Sequence, residues 1–193
     1  EGKDARAAFA ENFKSIFNFQ NLILSAAAAV AEMTIKVATG FDEARSKLAA
    51  LTGAGHDFSE AMYGAQRATN LYGVSFDEAT ESTAKLVAET ANFTKFSESA
   101  QTELIKTSAL LGKLGVDAST SASLFDFFNN NVGMSAEKAM DATKQLAMMG
   151  NELGISSAKI TKDFQAALPT LAVYGARSVE VFKNLAAEAK AAN

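Results

Sequence analysis

The 193-residue chain has no cysteine, no tryptophan, one proline and one histidine. Without cysteine there is no disulfide framework, no thiol nucleophile and no cysteine-based metal site, which fits a reducing compartment. The single histidine, His56, stands in "TGAGHDFSE" beside Asp57. No second histidine, nucleophile motif or metal-ligand spacing accompanies it, so it reads as a loop residue and no cofactor is expected. Charge of one sign is scarce too: 18 basic against 22 acidic residues give a net charge of −4. The basic residues are scattered singly, so the stripe that neutralises phosphates is missing and no nucleic-acid binding is expected. The longest apolar run, Leu22 to Ala31, spans ten residues before Glu32. A bilayer span needs about 20. Glu11 and Lys14 precede the run in place of a basic leader, so it reads as an alanine-rich helix packing closely on a neighbour.

What is abundant favours helix. The chain is 48% hydrophobic and 21% charged and rich in alanine, with Leu, Lys and Glu alongside, residues that lose little on becoming helical. The expectation is an all-α fold: a long N-terminal amphipathic or coiled-coil helix over 1–52, then a bundle or solenoid-like array of about seven short helices over 53–193. A start at Glu1 and an open-ended "LAAEAKAAN" read as part of a longer protein.

From Phe9 to Leu51, alternating steps of four and three give Phe9, Phe13, Ile16, Gln20, Ile23, Ala27, Val30, Thr34, Val37, Phe41, Ala44, Leu48 and Leu51. All but Gln20 and Thr34 are apolar, a seam of about six heptads that suits knobs-into-holes packing. Those two share one heptad position, where polar layers fix register and copy number. The candidate self-contact residues are Phe13, Ile16, Ile23, Val30 and Val37, and a trimer or hexamer suits such a seam. The competing reading is one amphipathic helix covering the following domain, since "SIFNFQNL" carries apolar residues off the seam and Gly40 weakens the helix.

After Leu51 the punctuation becomes regular. Gly55, Gly73, Asn92, Gly115, Gly133, Gly154 and Gly175 arrive every 18 to 23 residues, each able to end a helix in a left-handed conformation. A start follows each stop. Gly73-Val-Ser75-Phe-Asp-Glu78 has the capping-box pattern, as does Asp57 with Glu60, and Asp117, Ser135, Ser156 and Ser178 stand where caps belong. Val74, Val116, Met134 and Ile155 precede their caps as hydrophobic staples. The spacing predicts helices of roughly 12 to 17 residues joined by turns of about two to five. It fits neither the tetratricopeptide nor the ankyrin signature. Pro169 in "FQAALPTLAVYG" is expected to kink or break its helix.

Other motifs resolve into structure. The pairs Asp42-Glu43 and Asp77-Glu78 point in different directions on a helix and are not a glycosidase dyad; Asp77 and Glu78 suit a first turn. Gly53 to Gly55 lacks the phosphate-loop pattern and reads as a terminator. In "SLFDFFNNN", Leu124, Phe125 and Phe128 share a face while Phe127 points about 100° away. All four are expected in the core, with one ring at an interface as the alternative. Asn92-Phe93-Thr94 matches a glycosylation acceptor, which matters only in a secretory pathway.

Taken together, "FDEARSKLAALTGAG", "LYGVSFDEATESTAKLVAET", "LLGKLGVDASTSASLFDFF" and "LGISSAKITKDFQAALPTLAVYGARS" resemble the core region of phage tail tape-measure proteins, which string short helices through Gly-apolar-Ser/Asp corners after an N-terminal helical stretch. The resemblance covers roughly Phe41 to Asn193. It implies a structural virion protein, without enzymatic activity, made in the bacterial host cytoplasm. Several copies line the tail-tube lumen, set tail length during assembly and leave ahead of the DNA at infection. The implied partners are further copies of the chain, the tail tube protein, tail-assembly chaperones and tail-tip proteins. The long hydrophobic segment that many members use at the host membrane is missing, which leaves membrane contact open. Two other classes compete. A helical scaffold presenting a groove to a peptide predicts a monomer whose first helix folds back. A membrane-active helix around "LILSAAAAVAEM" is opposed by Glu32 and Lys36.

Overall fold

A computed structural model describes residues 30–54 and 57–191, with side chains from residue 40 onward. Phe13, Ile16, Ile23, Gly55 and His56 lie outside the described residues, and Val30 and Val37 are described as helical backbone only. The helices are α1 (Val30–Thr52), α2 (Ser59–Thr69), α3 (Phe76–Glu89), α4 (Glu98–Lys113), α5 (Ala118–Asp126), α6 (Ala136–Leu153), α7 (Ser157–Leu171) and α8 (Ser178–Ala191). Among the described residues there is no strand. Residues 1–43 and 44–193 are separate units, and the core lies in the second.

Seven helices follow α1, as the punctuation predicts, although α2 at 11 residues, α5 at 9 and α6 at 18 lie outside the expected lengths. Their order in sequence is also their order in space. Each helix from α2 onward packs chiefly on those one and two places away in sequence: α2 on α3 and α4, α3 on α4 and α5, and so on to α6, which packs on α7 and α8. An array of this kind grows by short connections alone, which is how short-loop helical chains bury their apolar stripes.

Corners set the helix limits. Gly73, Gly115, Gly133 and Gly154 all have φ between 65° and 81°, the left-handed region that glycine enters without a Cβ penalty. At three of them the amide of the apolar successor reaches back five residues: Val74 to Thr69 (3.5 Å), Val116 to Leu111 (3.1 Å) and Ile155 to Gly150 (2.7 Å). The glycine amide bonds the carbonyl three residues back, so two carbonyls of the ending helix are satisfied at once. One residue later a side chain caps the new helix. Ser75, Asp117, Ser135 and Ser156 accept the amides of Glu78, Thr120, Lys138 and Lys159. Ser75 and Glu78 complete the reciprocal capping box.

The structure departs from the sequence reading at five places. At the end of α1 Gly53 is left-handed, and before α2 Phe58, not Asp57, holds the cap position, with no side-chain cap. Asn92 has φ of −112°, so α3 ends without a left-handed residue, in an extended Thr90. Ser97 caps α4 through the Ala100 amide, a start that the glycine rhythm does not flag. Ser178 is itself helical, and its buried hydroxyl has no partner. The helix also runs through Pro169 to Leu171; the break falls at Gly175, with φ 52° and ψ −126°. Two residues from the helix end, the proline removes little, because the bond it forfeits is nearly the last.

Leu124, Phe125, Phe127 and Phe128 are all buried, the expected outcome for "SLFDFFNNN". Here α5 widens into a π turn over Phe127–Asn131. Phe164 of α7 lies against both adjacent rings, 6.2 Å from Phe127 and 5.7 Å from Phe128, and Phe182 of α8 stacks edge-on at 5.1 Å. Hydroxyls supply much of the remaining core. Thr69, Thr80, Thr83, Thr143 and Thr161 are buried and donate to the carbonyl four residues back, which satisfies them inside their own helix. Such small side chains let helices approach closely.

Gly150 marks the tightest approach: a Cβ there would lie 2.6 Å from the Ile155 carbonyl oxygen and 3.1 Å from Ile160. Gly150→Ala therefore lowers unfolding free energy by about 1–3 kcal/mol, read from urea denaturation with an unchanged slope. Phe164→Ala, which empties the ring cluster, lowers it by about 3–5 kcal/mol in the same measurement.

Candidate functional site

Two of the surface openings differ in chemistry, one polar and one apolar. The first is a cleft of about 310 Å³ where the start of α3, the end of α4 and the start of α5 converge. The second is a groove of about 610 Å³ between α7 and α8. Both are products of corners, the first of Gly115-Val116-Asp117, the second of the break at Gly175.

In the cleft, each capping acid does two jobs with its two oxygens. Glu78 accepts the Ser75 amide on Oε2 at 2.8 Å and the Lys113 ammonium on Oε1 at 2.6 Å, tying α3 to the end of α4. Asp117 accepts the Thr120 amide on Oδ1 at 2.7 Å, and its Oδ2 lies 3.3 Å from Lys162 of α7. Partial burial pushes the Glu78 carboxyl up, but the hydrogen bonds from Lys113 and Ser75 and the Lys113 charge outweigh it, holding the group below its ordinary value of 4.5. For Asp117 burial is likewise overcome, by the Thr120 bonds and by Lys162, and the carboxyl sits below its ordinary 3.8. Glu81, Ser82, Ser108 and Gly112 complete the lining.

The groove is apolar along its length. Ile160 and Leu171 of α7 and Phe182 of α8 form its buried floor, and Leu185 stands 55% exposed on its wall. Along its rim Lys159 pairs with Asp163 at 2.8 Å, and the Lys190 ammonium donates to the Leu153 carbonyl. Val173 and Tyr174, in the 3₁₀ turn between the two helices, are also exposed.

Of the residues that sequence reasoning singles out for self-contact, Phe13, Ile16 and Ile23 fall outside the described residues, and the side chains of Val30 and Val37 do too. Asp77 and Glu78 are first-turn residues, with Asp77 paired to Lys47 at 2.6 Å. Phe93 of the glycosylation-like triplet is fully buried, and Asn92 donates to Asn130 of the π turn. Among the described residues no cluster of three or more His, Asp or Glu is placed to hold a metal ion, and no helix is long and apolar enough to cross a membrane. The cleft was not foreseen. Its one sequence signal is the pair of glycines three residues apart in "LLGKLGVD", of which only Gly115 is needed for the turn.

The two lowered carboxyls fix the sign of a pH dependence. A group whose pKa is depressed on folding contributes stability above its unfolded value and loses it as pH falls through the folded one. Thermal unfolding followed by circular dichroism is thus expected to be flat from about pH 7 to 5 and to fall below about 4.5, with a shallower fall in Glu78→Gln. In comparisons with protein-family models, with curated proteins and with solved structures, nothing matches this chain.

Proposed function

We propose that the chain is a segment of a phage tail tape-measure protein, a non-enzymatic virion component that occupies the tail-tube lumen, sets tail length and leaves ahead of the genome. The observation that carries the reading is the corner. The Gly-apolar-Ser/Asp triplets on which the resemblance rests form left-handed stops followed at once by capped starts, at Gly73, Gly115, Gly133 and Gly154. A chain built this way is a string of short helices. The array of next and next-but-one contacts supports it further, because length in sequence then maps onto length in space.

Under this reading the N-terminal part of the heptad seam that starts at Phe9 is the self-association element, with Phe13, Ile16, Ile23, Val30 and Val37 at the contact between copies and a trimer or hexamer as the assembly, while Ala44 and Leu48 further along it are buried within the chain itself. The tail tube protein, tail-assembly chaperones and tail-tip proteins are the remaining partners. A second reading, a helical scaffold for an apolar peptide, is favoured by the open groove between α7 and α8.

Tail length separates them. Deleting residues 13–40 from the full-length gene removes four heptads and leaves the seam in phase. Tails measured by electron microscopy are expected to shorten by about 42 Å, the helical rise of the deleted stretch. Tails of normal length, with a chain that sediments as a monomer, would sink the ruler reading in favour of the scaffold. Replacing Ile16 and Ile23 by aspartate is expected to dissociate the oligomer in sedimentation velocity runs, since charges in the seam oppose burial.

A further inference from the structure

We propose that an internal cavity bordered by α4, α5 and α6 is a binding site for one water molecule, held by the hydroxyls of Thr107, Ser108 and Ser121. The inference does not rest on the tape-measure reading. The cavity has about 10 Å³ of room and lies inside the array, since none of the residues around it is more than 7% exposed. That room is about what one water needs, and it is too little for a larger ligand.

The polar groups around the cavity say what fills it. Among the described residues six buried side-chain polar atoms have no hydrogen-bond partner in the protein. Three of them, the hydroxyls of Thr107, Ser108 and Ser121, belong to residues that border this one cavity. Elsewhere the core avoids such orphans. Thr69, Thr80, Thr83, Thr143 and Thr161 donate to the carbonyl four residues back, a bond that Thr107, Ser108 and Ser121 leave unmade. Ser108 also borders the open cleft, but its hydroxyl oxygen is closed to solvent, so bulk water does not serve it. Three desolvated hydroxyls in one place are costly unless they share a partner.

Water matches them in number and in kind. A buried water commonly makes about three hydrogen bonds, donating some and accepting others, and each hydroxyl can do either. Thr143 of α6, whose own hydroxyl donates to Ala139, keeps acceptor capacity for a further bond. A cation of similar size fits less well, because no carboxylate borders the cavity and the rest of the lining, Leu104 and Phe125 included, is largely apolar. The water ties α4 to α5 through its hydrogen bonds and leaves only when those helices part.

Oxygen-17 relaxation dispersion of solvent water, measured on the whole chain, registers water molecules that the protein holds for longer than it takes to tumble. Recording it at rising temperature brings a slowly exchanging molecule into range. The native chain is expected to show one such molecule more than the triple variant Thr107→Val, Ser108→Ala, Ser121→Ala. Thr107→Val alone gives an independent reading, because it replaces the hydroxyl by a methyl group and keeps the branched shape. With the water bound, this change removes a hydrogen bond, and the unfolding equilibrium constant extrapolated to zero urea rises about fivefold. For a hydroxyl with no partner the constant falls instead, because an unsatisfied buried group has gone. Equal dispersion in the native chain and the triple variant overturns the proposal, as does a Thr107→Val chain at least as stable as the native one.

Discussion

The constraint on which this structure depends is the two-residue change of direction between a helix that must end and another that must begin. Left-handed glycine ends one helix because only there can the next two amides turn back onto its free carbonyls. The apolar residue after it belongs to both sides: its amide closes the old helix, and its side chain precedes the new cap. Val74 and Val116, each 1% exposed, are taken fully into the core, whereas Met134 and Ile155 are half-buried. Since the backbone groups at both ends are satisfied within five residues, the corner needs no help from elsewhere in the chain.

Compact corners leave little room for large apolar layers between helices, and the interior reflects this. Buried threonines bonded to their own helices fill positions where a leucine would force neighbours apart. Phe127, Phe128 and Phe182 gather around Phe164, where α5, α7 and α8 approach one another, while Phe58 pairs with Phe93 and Phe96 with Phe125. The same corner chemistry shapes the surface. A carboxylate that caps a helix has a second oxygen free, and in Glu78 and Asp117 that oxygen reaches a lysine on a different helix. Local termination signals thus become ties between elements.

Much of this was legible in the sequence because glycine, serine and aspartate act locally. The corners at Gly73, Gly115, Gly133 and Gly154 follow from residue type and order alone. Where termination came from tertiary packing, the reading failed. Thr90 ends α3 in an extended conformation with the fully buried Phe93 just beyond, and nothing in "ETANFTKF" announces it. Pro169 misled for a related reason: a proline near a C-terminus costs one bond, and the breaking residue was the glycine beyond. Phe127 and Phe128 point apart on a single helix, and only the position of Phe164, 36 residues further on, explains how both rings are covered. The cleft was hidden because it joins residues from three helices whose individual roles, capping and turning, were already accounted for.

That the helices from α2 onward lean chiefly on those one and two places away in sequence has a mechanical meaning. A closed bundle drawn out by one end loses all of its core in a single event, because each helix touches most of the others. Here, tension on the C-terminal end meets only the contacts of α8 with α6 and α7, and once those yield, only the contacts of α7 with α5 and α6. Each step releases one local interface, so the array comes apart like a row of overlapping shingles lifted from one edge, and it re-lays in the reverse order.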